Sequence, residues 1–112
     1  MIITSIIWDT YIIGYSMDKD KFCYRYMFHN HFMPANILRE LKNRQIFTET
    51  QSTRYLLNAC QQRSIKAIFR KLIEEQDSGY RYSINLQKNY LLELIHALVK
   101  ISQHNKSNNL SA

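Results

Sequence analysis

Few residues in this 112-residue chain have the types and spacing to do chemistry. His29 and His31 straddle Asn30, and alternation along a strand would send both imidazoles to one side. With Cys23 they could be read as metal ligands. No further ligand stands at a recognisable spacing, however, and tetrahedral structural sites show paired ligand motifs. At a strand end running into a loop, these histidines read as solvated or locally hydrogen-bonded. Glu74 and Glu75 are neighbours on one helix, so they point to different faces and make a poor acid–base pair. There is no Gly-rich phosphate loop, no GxSxG, and no serine or cysteine with a visible base partner. The expectation is a non-enzyme that needs no cofactor and no metal.

Binding chemistry is better represented. The net charge is +6, with lysines and arginines scattered along the chain. Their best local concentration is Arg63, Lys66 and Arg70 on one helical face, with Lys71 nearby. Such a stripe attracts phosphate without sequence preference, and it is also what the solvated side of a helix looks like. A second group is aromatic: Trp8, Tyr24 and Tyr26 could line an apolar pocket while offering polar handles to a small ligand. In Phe22–Phe28 the period is two, so Phe22, Tyr24, Tyr26 and Phe28 face one side and Cys23, Arg25 and Met27 the other. That aromatic side reads either as core or as pocket wall.

The elements that would position these residues fall into two halves. Residues 1–32 read as strands: Ile2–Trp8, Tyr11–Tyr15, a charged turn at Ser16–Lys21, then Phe22–Phe28. Residues 33–104 read as helices. Pro34 suits the first position of a short helix whose apolar edge is Ile37, Leu38 and Leu41, ending near Asn43. Gln45–Thr48 reads as briefly extended. Thr50 or Ser52 can cap a helix carrying Tyr55, Leu56, Leu57, Ala59 and Cys60. The periodicity shifts at Arg63-Ser64, where Ile65, Ile68, Phe69, Leu72 and Ile73 make a fresh stripe that Asp77-Ser78-Gly79 stops. The fold class is α+β, with short antiparallel strands followed by three to four helices.

The last helix, Tyr80–Gln103, has an apolar surface of roughly 180°, wider than the usual surface stripe. Ile84, Leu91 and Leu98 repeat every seven residues, and Leu94 and Ile101 fill the other seam position, while Gln87 interrupts the pattern. Asn85, Asn89, Glu93, His96, Lys100 and Gln103 lie opposite. The functional expectation is a dimerisation helix with Ile84, Leu91, Leu94, Ile95, Leu98 and Ile101 at a homodimer interface. The alternative is a helix buried within a monomer.

Length allows one domain, residues 1–104, with 105–112 as a flexible tail. Cys23 and Cys60 lack CxxC spacing, which suggests free thiols in a reducing cytoplasm. The start lacks a basic leader and carries Asp9 inside its apolar run, and no stretch approaches a membrane span.

Tyr24-Arg25-Tyr26-Met27-Phe28, followed by the Pro34-initiated helix Ala35–Leu41, resembles the last strands of the effector-binding domain of AraC-type transcriptional regulators. The order beyond is similar too: a loop near Phe47, two helices ending in Glu74-Glu75, then a long Leu-rich helix. The resemblance covers about Ile2 to His104. It implies a partial cupin-like sheet with Ile2–Trp8 as one strand, a homodimer through the last helix, and a small-molecule effector. It further implies that DNA is reached only indirectly, because the strands that complete the barrel and the helix-turn-helix reader are not in this sequence. The expected function is therefore a regulatory and dimerisation module. A small ligand-binding module, or a basic nucleic-acid-binding or adaptor protein using Arg63, Lys66 and Arg70, are the alternatives.

Overall fold

The computed structural model describes residues 1–18 and 21–111, with side chains described for 1–16 and 24–103. The chain is α+β: a four-stranded antiparallel sheet and three α-helices. Strands β1 (Ile2–Ile7), β2 (Thr10–Asp18) and β3 (Lys21–His29) form a meander. A short 3-10 turn at Asn30–Phe32 leads to α1 (Ala35–Asn43). Strand β4 (Thr53–Tyr55) then returns to pair with β1, giving the order β3-β2-β1-β4.

Register and alternation decide which side chains share a face. Tyr55, Ile2, Tyr15 and Tyr24 form one cross-strand row; Thr53, Thr4, Ile13 and Tyr26 the next; Ile6, Tyr11 and Phe28 a third. Most of these are buried, and this face carries α2 (Ala59–Gln76) and α3 (Ser83–Ser111). Aromatic rings cement the layer: Phe69 of α2 stacks on Tyr24 with centroids 5.7 Å apart, and Tyr11 stacks on Phe28 at 5.2 Å. The alternation expected for Tyr24–Phe28 therefore holds, with Tyr26 and Phe28 in the core and Arg25 and Met27 outside. Phe22 and Cys23 lie outside the described side chains.

Two parts of the chain differ from the sequence expectation. The stretch Thr50–Leu57 does not begin a helix. Tyr55 instead enters the sheet opposite Ile2, and α2 starts only at Ala59. Asn58 supplies the start: its side chain accepts from the Gln61 amide at 2.8 Å, and the Asn58 amide donates to Gln61 Oε1 at 2.9 Å. This reciprocal cap satisfies two otherwise orphaned amides. From there α2 runs unbroken through Arg63-Ser64 to Gln76. The segment Gln45–Thr48 is a turn, with Gln45 at φ 60°. Smaller shifts occur as well: Pro34 caps α1 instead of opening it, and α3 begins at Ser83 instead of Tyr80. The α3 backbone stays helical to Ser111, past the point where apolar periodicity ends.

Lys71 lies 3.9 Å from Glu93, while Cys60 and Lys100 line one cleft, so α2 and α3 run antiparallel. No described helix is long and apolar enough to cross a membrane.

Candidate functional site

The six interface candidates end up in different places. Leu91, Leu94, Ile95, Leu98 and Ile101 are buried inside the chain's own fold, against α2 and the sheet. Only Ile84 is exposed. The wide apolar surface of α3 is therefore covered mostly from within. Half-buried Leu92 and Val99 remain beside α1, where with Ile37 they line a groove of about 440 Å³.

The aromatic candidates do not converge on one pocket. Trp8 sits in the β1–β2 turn, 93% exposed. Tyr24 is half-buried under Phe69, and its hydroxyl accepts from Arg70 Nε at 3.3 Å. Tyr26 is buried, and its hydroxyl donates to Gln87 Oε1 at 3.2 Å. Burial also raises the Tyr26 phenol above its ordinary value. Gln87, the residue that breaks the heptad, is thus the buried partner of a strand tyrosine. Its Nε2 donates to Ser83 Oγ at 3.2 Å, and the Ser83 hydroxyl donates to the Glu75 carbonyl.

The basic stripe on α2 is partly tied down. Lys66 lies over the Tyr15 ring at 5.8 Å, Arg70 is held by Tyr24, and Arg63 is exposed. His29 and His31 are both exposed, and among the described residues no group of three His, Cys, Asp or Glu is placed to hold a metal. Cys60 is an exposed free thiol.

A surface that charge counting alone did not single out is the helix-free face of the sheet. Register places Arg54, Ile3, Gly14 and Arg25 in one row across all four strands. Ser5, Ile12 and Met27 form the next row, and Ile7, Thr10 and His29 the third. None of these ten positions is acidic, and Arg25, Arg54, Met27 and Ile7 are exposed. Gly14 puts no side chain between Ile3 and Arg25, and its backbone is buried beneath that row. Trp8 projects from the turn that closes the third row, at φ 57°. The signal for this face was present in the alternation of Arg25 and Met27; what was missing was the partner row, which only the register supplies.

A cleft beside that face lies where β3 meets the start of α3, with a volume of about 450 Å³. Tyr26, His29, His31, Phe32, Gln87 and Lys88 are among its walls. Comparison with family models, curated proteins and solved structures found no match, and so none that identifies an AraC-type regulator.

Proposed function

We propose that this chain is a nucleic-acid-binding module whose contact surface is the helix-free face of the sheet. The observation that carries the reading is the row Arg54–Ile3–Gly14–Arg25 on a face whose ten described positions include no carboxylate. Two exposed guanidiniums in one cross-strand row suit a phosphate chain laid across the strands, since phosphate contacts supply most non-specific affinity. Exposed Met27, Ile7 and Trp8 supply apolar and aromatic surface on which unpaired bases can stack, which favours a single strand over a duplex. The +6 charge acts in the same direction. Because Arg70 is anchored to Tyr24, the chain neighbour of Arg25, basic surface continues around the β3 edge onto α2.

The test is fluorescence anisotropy with a labelled single-stranded oligonucleotide at low salt. Arg25→Glu with Arg54→Glu should abolish binding, while Arg63→Glu with Arg70→Glu should weaken it less. If the wild type binds nothing at low salt, the reading fails. If only the α2 pair matters, the surface is the helical stripe.

A second reading is the self-associating regulatory module implied by the AraC-like resemblance, with a homodimer and a small-molecule effector. Half-buried Leu92 and Val99 in the α1–α3 groove favour it, as part of the broad α3 stripe that the chain covers incompletely. Light scattering decides it: a wild type that is monomeric at high micromolar concentration removes this reading. A dimer split by Leu92→Lys with Val99→Lys supports it.

A further inference from the structure

The cleft at the junction of β3 and α3 has features that core packing alone does not require. Its floor holds Gln87, only 7% exposed, at a position where the seven-residue pattern of α3 would place an apolar side chain. A buried amide is tolerated only when hydrogen-bonded. Tyr26 and Ser83 satisfy one carbonyl lone pair and one N–H, which leaves one donor and one acceptor position on the same group. The rim carries His29, His31 and Lys88, and none of the residues lining the cleft is acidic. Lys88 Nζ stands 5.2 Å above the Phe32 ring, so a cation is held at the mouth beside an aromatic wall. The volume, about 450 Å³, lies in the range of small-molecule sites.

We infer that this cleft is a subsite for one nucleoside monophosphate unit. Its phosphate meets Lys88, His29 and His31, its base lies against Phe32, and the base edge reaches the Gln87 amide. A glutamine amide offers the paired donor and acceptor that purine edges match. Met27 and His29 stand both on the helix-free face and in the wall of the cleft, so a strand laid over the sheet could deliver one of its units there. In that respect the inference rests on the nucleic-acid reading. A free mononucleotide is the other source of the same chemistry.

The test titrates adenosine and uridine monophosphate, adenosine, and inorganic phosphate separately into the full chain, followed by amide NMR shifts. Either monophosphate should move the resonances of His29, His31, Gln87 and Lys88, while phosphate or adenosine alone should bind more weakly. Gln87→Met, which keeps the volume and removes the amide, and Lys88→Gln on the surface should each weaken the monophosphate about tenfold, some 1.4 kcal/mol. Arg25→Ala with Arg54→Ala should leave mononucleotide binding intact. Saturable binding lost in the cleft variants, by a wild type that fails to hold any oligonucleotide, would assign the cleft to a free nucleotide and sink only the strand-binding function. If the oligonucleotide binds and Lys88→Gln weakens it as well, the unit comes from the strand. The inference is overturned if neither monophosphate shifts these residues at millimolar concentration, or if inorganic phosphate alone binds as tightly.

Discussion

Trp8 pairs an uncommon backbone with an unusual exposure. It is the first residue of a two-residue hairpin turn and holds φ 57°, whereas Asp9 beside it is not left-handed. That pattern is the type II′ turn, whose first position favours glycine, so a tryptophan there is strained by about 1–3 kcal/mol. Trp8→Gly should therefore raise the melting temperature or leave it unchanged, yet weaken single-strand affinity by about 1–3 kcal/mol if the indole stacks a base. A loss of stability together with an unchanged affinity would show that Trp8 serves the turn alone. At the opposite extreme of exposure, Tyr26 and Tyr55 are buried, and desolvation is the leading cause raising both phenols above 10.0; a hydrogen bond with Ser102 partly offsets the rise at Tyr55. A raised folded-state value means the native chain keeps its protons longer than the unfolded chain. The stabilisation is thus complete below pH 10 and falls as pH climbs through the folded values. Urea titrations from pH 8 upward should show stability dropping above 10, and dropping less steeply in a Tyr26→Phe, Tyr55→Phe double variant.

In helix α3 the apolar spacing marks positions that the chain's own fold covers, Ile84 excepted. The pattern records which positions are covered, not what covers them. Leu91, Leu94 and Leu98 are fully buried by α2 and the sheet, and the same spacing would serve a partner helix equally well. Leu94→Ala should accordingly cost about 2–5 kcal/mol on thermal unfolding and leave the oligomeric state in light scattering as in the wild type. A change of oligomeric state without loss of stability would contradict this packing. Strand β3 was legible because alternation over Tyr24, Arg25, Tyr26, Met27 and Phe28 is long enough to display its period. Strand β4 was not: three residues show no period, and the apolar Tyr55-Leu56-Leu57 run imitates a helix start. Its partner β1 lies far away in sequence, so only the register reveals it. The basic row on the sheet was hidden for the same reason. Arg25 and Arg54 are distant in the chain and become neighbours of one surface only through β1 and β2.

For the molecule as a whole, charge is asymmetric in a useful way: helices cover one sheet face, and the described positions of the other hold arginines and no acid. Oligonucleotide affinity should fall steeply with salt, and replacing Arg25 and Arg54 by Ala should lower the log–log slope by about 0.7 per charge removed. An unchanged slope in the double variant would place the contacts elsewhere. The order of the elements has another effect, on how the chain is made. The meander is synthesised first, but the helices that cover its tyrosine-rich side come from Ala59 onward. At roughly 5–20 residues per second, a growing chain waits about two to six seconds between finishing β3 and beginning α2. During that interval Tyr11, Tyr15, Tyr26 and Phe28 have no helix layer above them, and β1 presents the edge that β4 later covers. Nascent chains stalled before Ser83 should therefore be sticky species that recruit holdase chaperones, and release of α3 should end that association.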